Sequence, residues 1–258
     1  MNWIETIENA LGFIENNITE ELTAGRIAAE VNTSAFYFQK GFSMLCGYTV
    51  GEYIRRRRLS LAGIELMSSD IKVIDLAVKY GYDSPDSFSK AHGCTPTDVR
   101  KGGANIKAFA PLHLKLSLDG GTVMEYRIEK KSAFKVMGVS KRFSYEAANQ
   151  DIPQFWNDAF TKAEPKPVLG EYGVCFDEAM AGDEFRYMIA DDYDAEKAQA
   201  MKLDVQEIPA HTWAIFPCRG AMPLPLQEVN RRIFAEWLPA SNYEIAEGYN
   251  IEYYSDPA

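Results

Sequence analysis

The apolar period changes once along this chain, and that change limits the fold more than any other feature. Up to about Lys101 hydrophobic side chains recur at three- and four-residue steps, the spacing of one helix face. From Thr122 they alternate instead, as in strands covered on one side. The stretch between is punctuated by Gly102-Gly103, Pro111 and Gly120-Gly121 and includes the alternating run Leu112-His113-Leu114-Lys115-Leu116. With 258 residues there is room for two ordinary domains. The pattern predicts an all-α unit over 1–108, a linker over 109–121 that packs partly as a strand, and an antiparallel-sheet unit over 122–258.

In the first unit, Ile4, Ile7, Leu11 and Ile14 mark an amphipathic opening helix. Short helices are expected over Ala24 to Glu30 and Ser34 to Leu45, with Asn32-Thr33-Ser34 supplying N-caps and Gly47 the stop. A longer helix is expected from Val50 to Met67, then a second short pair, Ile71 to Tyr80 and Asp86 to Ala91, around the turn Gly81-Tyr82-Asp83-Ser84-Pro85. Helix-turn-helix therefore occurs twice, joined by a connector of roughly 27 Å. Two recognition helices entering successive major-groove turns sit about 34 Å apart, which the connector nearly spans. Phe38 and Phe42, four apart, should face inward and leave Ala35, Phe36, Gln39 and Lys40 on the opposite, exposed side.

In the second unit the order strand, strand, helix, strand, strand occurs twice. The first set has strands near Met124–Glu129 and Phe134–Val139, a helix near Ile152–Lys162, and strands near Tyr172–Phe176 and Phe185–Ala190. The second has strands near Lys202–Ile208 and Thr212–Cys218, a helix near Leu226–Leu238, and strands near Tyr243–Ala246 and Asn250–Tyr254. Two β-α-β-β repeats of this kind give an antiparallel sheet backed by helices, with a groove along the pseudo-twofold axis. The fold class expected is thus all-α double helix-turn-helix followed by α+β.

Charge and motif content narrow the functions. The net charge of −10 argues at first against DNA, whose phosphates call for Lys and Arg. Residues 1–110, however, carry 12 Lys+Arg against 13 Asp+Glu, and residues 111–258 carry 15 against 24, so the acidity belongs to the second half. No run of about 18 apolar residues is present, and the start Met1-Asn2-Trp3-Ile4-Glu5 is not a secretory signal, so no membrane association and a cytoplasmic address are expected. Cys46, Cys94, Cys175 and Cys218 lie far apart and read as reduced thiols. His92, His113 and His211 have no ligand spacing, and no nucleophile elbow, phosphate loop or zinc-protease motif occurs; no metal, cofactor or enzymatic activity is expected.

The residues Phe36-Tyr37-Phe38-Gln39-Lys40-Gly41-Phe42-Ser43, Gly47-Tyr48-Thr49-Val50-Gly51-Glu52-Tyr53-Ile54-Arg55 and Arg57-Arg58-Leu59 resemble the AraC/XylS family of regulators. So do Ile74-Asp75-Leu76-Ala77, Gly81-Tyr82-Asp83-Ser84, Phe88, Gly93, Thr95-Pro96 and Arg100, and the resemblance covers about residues 5–101. It implies double-stranded DNA as partner, with RNA polymerase a further candidate. It puts the first unit's DNA contacts at Ser34, Phe36, Tyr37, Gln39 and Lys40, with Arg55 at a phosphate, and the second unit's at Pro85, Asp86, Ser89 and Lys90. Gln suits adenine and Lys guanine or phosphate, whereas Asp86 suits only cytosine and repels phosphate, so the second unit should read more weakly. One departure stands out: His92-Gly93 follows Ala91 about four residues too soon, which shortens a helix by about 6 Å.

Residues 122–258 resemble the GyrI-like small-molecule-binding domains, through Ile152-Pro153-x-x-Trp156, Ile208-Pro209-Ala210, Trp237-Leu238-Pro239-Ala240-Ser241-x-Tyr243-Glu244 and Ile251-Glu252-Tyr253-Tyr254. The resemblance implies an aromatic groove with a buried carboxylate, suited to an amphipathic organic cation. Glu252, among apolar neighbours in the last strand, is the first candidate anchor and Glu244 the second. Trp213, Tyr187 and Tyr254 are candidate walls. Trp156 and Trp237, on helices, have core packing as the ordinary reading and a ligand platform as the alternative. Three functions follow: an effector-responsive transcription regulator, a hydrolase of small molecules using the groove carboxylate, or a sequestering or inhibitor module with a vestigial DNA-binding half.

Overall fold

The computed structural model describes residues 3–82, 89, 93–101, 108–113, 123–162, 165–176, 184–246 and 248–255. Its first element, α1 (Trp3–Asn16), buries Ile7, Ala10, Leu11 and Ile14 along one stripe. Thr23 caps α2 (Ala24–Glu30) by accepting from the Arg26 amide, and Ser34 caps α3 (Ala35–Cys46) by accepting from that of Tyr37. Gly47, at φ 73°, ends α3 in the left-handed region that a side chain disfavours. Thr49 caps α4 (Val50–Ser68), the connector. The predicted second unit begins with α5 (Val73–Lys79). It resumes in α6 (Pro96–Arg100), where Thr95 and Asp98 form a reciprocal capping box and Pro96 opens the helix.

The Arg55–Arg58 run spreads around α4. Arg57 is buried and clasps Glu15 with Nε and Nη2, at 2.8 Å each, while its Nη1 donates to the Phe109 carbonyl. The Phe109 amide donates to Ser60 and that of Leu112 to the Tyr53 hydroxyl. The start of the predicted linker is thereby strapped along α4; residues 114–122, with the rest of the alternating run, lie outside the described residues. Arg58 donates to the carbonyls of Ile18 and Glu20. Arg56 pairs with Glu52 and lies 5.0 Å over the Tyr48 ring, while Arg55 reaches Glu146 at 3.1 Å.

The second half opens with β1 (Arg127–Lys131) and β2 (Phe134–Ser144), then α7 (Ala148–Thr161), β3 (Tyr172–Phe176) and β4 (Glu184–Asp192). A helix not anticipated, α8 (Ala195–Met201), fills the connection to the second repeat, with the Asp194 side chain capping the Glu196 and Lys197 amides. Strands β5 (Asp204–Ile208) and β6 (His211–Ile215) precede α9 (Leu224–Arg232), which continues through a π-helical turn over Ile233–Trp237 into α10 (Leu238–Ala240). The last strand is β7 (Tyr249–Tyr253). Five strands pair antiparallel in the order β5-β2-β4-β3-β7, and β1 pairs with β6 as a separate ribbon. The strand expected at Tyr243–Ala246 is absent: the Ser241 hydroxyl turns the chain by accepting from the Tyr243 amide, and Tyr243 stacks on Trp237 instead of extending along a ladder.

The two faces of the sheet meet different neighbours. Val136, Val174, Phe176 and Met188 pack on one side with Trp213 of the ribbon. Phe143, Cys175, Phe185, Tyr187 and Ile189 face the other, and their apolar cluster continues without a break into Phe36, Phe38, Phe42 and Trp3 of the N-terminal helices. Trp3 meets Phe234 edge-on at 5.3 Å. The two halves predicted from the change of period therefore share one core.

Candidate ligand groove and DNA-reading helix

Strand β7 is an edge of the sheet, and a groove of about 840 Å³ runs along it, walled by the β1–β6 ribbon and by α9 with its π-helical turn. Glu252 lies in it, opposite Gly173 in the register of β3 and β7. Its Oε2 accepts from the Tyr187 hydroxyl and from the Tyr254 hydroxyl, each at 3.0 Å, and the Trp156 indole donates to Tyr187 at 3.0 Å. A Cβ on residue 173 would overlap the Tyr187 hydroxyl, so glycine is what lets this bond cross the strand. Burial first, and Glu252's charge second, raise the Tyr187 and Tyr254 hydroxyls far above the ordinary tyrosine range. Both stay neutral donors. Burial also pushes the Cys175 thiol up to about 12 and raises that of Cys218, so neither is a ready nucleophile.

The candidate effector residues fall into three places. Glu252, Tyr187, Tyr254 and Trp156 form the hydrogen-bonded cluster just described, in which Trp156 also meets Tyr254 at 5.2 Å. Trp213 lies around the strand, against Tyr249 and Ile251, with a buried indole nitrogen that has no hydrogen-bond partner among the described residues. Trp237 stacks on Tyr243 and meets Phe216 and Tyr126 edge-on, making an aromatic wall. Glu244 lines the same groove from an exposed position. A carboxylate held by two hydroxyls, with aromatic rings around it, can pair with an organic cation by charge and by ring-face attraction.

The candidate DNA-reading residues of α3 are not exposed as expected. Phe38 and Phe42 do point inward, both fully buried, but Phe36, Tyr37 and Gln39 are buried as well, at 3%, 6% and 6% exposure. Phe36 packs on Tyr145 and Phe185. The Tyr37 hydroxyl donates to the Tyr249 carbonyl at 3.2 Å, and Lys40 Nζ donates to Asn250 Oδ1 at 2.6 Å. The outer face of α3 is thus covered by the C-terminal sheet, and Tyr37 is part of the groove wall. A signal for this was available: aromatic residues at 36, 37, 38 and 42 make α3 apolar on both sides, the mark of a helix buried all round. Ser34 serves as the N-cap. Arg55 is engaged by Glu146 on the surface. Of the second unit's candidates, Ser89 is helical and half-buried, its carbonyl accepting from the Gly93 amide; Pro85, Asp86 and Lys90 lie outside the described residues.

Comparison with known proteins gives each half a family match. Residues 124–258 match the GyrI-like small-molecule-binding domain and residues 27–102 a helix-turn-helix domain. The transcriptional activator AarP of Providencia stuartii is 40% identical over 84 residues, 33% of this chain and 62% of that protein. The transcriptional regulator Rob of Salmonella typhimurium is 29% identical over 182 residues, 65% of this chain and 61% of that one. The regulatory protein SoxS of Escherichia coli is 32% identical over 104 residues, 39% of this chain and 97% of SoxS. Against AarP and Rob the chain spans little more than three-fifths of the relative's length.

Proposed function

Because the chain belongs to the GyrI-like small-molecule-binding family and joins that domain to an AraC-type helix-turn-helix half, we propose that it is a transcription regulator whose grip on DNA responds to an organic cation in the C-terminal groove. The 1–108 half supplies DNA contact and the 122–258 half the effector site, with RNA polymerase the further partner this role implies. The observation that carries the reading is Tyr37: a residue of the first recognition helix is also a wall of the groove that holds Glu252. Occupancy of the groove and the position of that helix are then physically linked. A ligand alters DNA affinity only by binding two arrangements unequally, and a shared wall residue is the means.

Glu252 is the anchor, oriented by the hydroxyls of Tyr187 and Tyr254, with Trp156 fixing Tyr187 from behind. Trp237 and Tyr243 supply ring faces. Nothing in this arrangement activates a nucleophile, since the two hydroxyls and both nearby thiols are held in their protonated forms. That favours a binding role for the site. Among the described helices none is long and apolar enough to cross a membrane.

Calorimetric titration with tetraphenylphosphonium, an aromatic lipophilic cation, tests the groove. Glu252→Gln should weaken binding about tenfold or more, roughly 1.4 kcal/mol, and Glu244→Gln by less. Equal affinity in the wild type and Glu252→Gln removes Glu252 as anchor. For the DNA half, the full-length chain should retain specific duplexes from a randomised pool at low salt, and retention of none discards the regulator.

A further inference from the structure

The face of α3 that the regulator reading assigns to DNA is already occupied. Phe36 is enclosed by Tyr145 and Phe185, Tyr37 is bonded to the β7 backbone, and the Lys40 ammonium is held by Asn250. A recognition helix works by laying its N-terminal residues in a major groove about 12 Å wide. Phe36 and Tyr37, 3% and 6% exposed against a β-sheet, cannot also touch base edges. We propose that this is a self-masked state in which the C-terminal sheet and DNA compete for Phe36, Tyr37 and Lys40, and that Lys40 is the chain's own stand-in for the cationic effector. The proposal rests on the regulator reading and adds the means of control.

Two further features favour a clasp made to open. Asn250 and Glu252 are two apart on β7 and so project to the same face, which places the Lys40 ammonium in the neighbourhood of the effector anchor. Both Lys40 and Glu252 act electrostatically on the Cys175 thiol, which sits across from Asn250 in the register. An organic cation entering the groove would meet the Tyr37 wall and replace the ammonium's charge with its own. In addition, the buried Gln39 amide nitrogen has no hydrogen-bond partner among the described residues. Release into water or against an adenine edge would satisfy it, so the closed form leaves unmet a bond that the open form makes.

The test uses the full-length chain and a substitution on the sheet side, away from the residues assigned to DNA. Asn250→Lys sets a like charge against Lys40. If no more than a tenth of the wild type is open, freeing α3 should tighten binding about tenfold to a duplex selected from a randomised pool. The clasp itself is read by the acetylation rate of Lys40 followed by mass spectrometry, with exposed Lys202 as the internal standard. Lys40 should react several-fold more slowly than Lys202 in the wild type and at a matching rate in Asn250→Lys. Tyr145→Ser, which removes one ring from around Phe36, is the second variant should the first not fold, with the same two readouts. A Lys40 that reacts freely in the wild type overturns the proposal, and so does a freed Lys40 with unchanged DNA affinity. If no protein retains any duplex, the regulator reading fails and the competition with it, and a slow Lys40 would then mark the clasp as purely structural.

Discussion

The two helix-turn-helix units of this molecule carry related motifs and are stabilised in different ways. The first, built on α2 and α3, adds its aromatic side chains to a core that continues through Phe143 and Phe185 of the C-terminal sheet. The second closes around a small cluster of its own, Ala62, Leu66, Leu76, Tyr80 and Val99. Its polar fastening is local too: Glu65 on α4 accepts from Lys79 at 2.7 Å and from the Tyr80 hydroxyl at 2.9 Å. A unit whose core is shared moves only when its partner moves; a unit with a private core can loosen alone. Among the described residues, the pair therefore combines one element coupled to the effector domain with one whose apolar cluster is its own.

The comparison breaks most directly on core truncation. Phe42 is fully buried between Phe38 and Tyr53, and Phe42→Ala should cost about 3–5 kcal/mol. That loss should appear in the global thermal transition, because the cluster joins both halves. Leu76→Ala removes a side chain just as buried, yet it should mainly speed hydrogen exchange in α5 and shift the global transition much less. If Leu76→Ala lowers the main transition as far as Phe42→Ala does, the second unit is not energetically separate.

Next in size is the buried ion pair that ties α1 to α4 beneath the first unit. Burial alone would raise the Glu15 carboxyl, but the hydrogen bonds from Arg57 and Tyr53 and the Arg57 charge outweigh it and hold the group below the usual carboxylate range. Glu15→Gln leaves Arg57 buried at 6% exposure without its counter-charge, and should cost on the order of 3 kcal/mol at neutral pH. The sign of the pH dependence follows from a depressed folded-state value. The stabilisation is complete above the unfolded carboxyl's range and is lost as pH falls through the lowered one. Urea midpoints of wild type and Glu15→Gln should therefore converge on acidification, and a gap that widens toward low pH would refute the assignment.

Much of the fold was readable because it depends on local spacing. Phe38 and Phe42, four apart, point inward as their period requires, and the short, mostly apolar runs at 172–176 and 185–190 mark β3 and β4, which are buried on both faces. Helix α8 was equally readable, since Asp194 followed by Ala, Glu, Lys and Gln is a strong cap and helix composition, but the strand-rich surroundings obscured it. The site was less legible. Glu252 stands out as a carboxylate in an apolar strand, whereas its partner Tyr187 lies 65 residues away and is fixed by the registers of β3 with β4 and β7. The covering of Gln39 and Lys40 was only faintly readable. Helical period shows which face avoids water, and two aromatics beside those polar residues hint at a second cover, but which surface supplies it is a property of tertiary packing.

The smallest expected effect concerns the polar rim between the halves. Arg55 touches both sides of the comparison: its carbonyl accepts from the Tyr82 hydroxyl of the second unit, and its guanidinium reaches Glu146 just after β2. Both ion-pair side chains are well exposed, at 59% and 60%, so solvent screens the pair and its ordering entropy offsets most of the attraction. Glu146→Gln should change stability by less than about 0.5 kcal/mol, a shift of about 1–2 °C in melting temperature for a chain of this size. That small shift should vanish in high salt. A loss of several degrees that persists in salt would mean that the halves are joined through this rim, and the rings around Phe36 would then be filling space instead of holding the recognition helix in place.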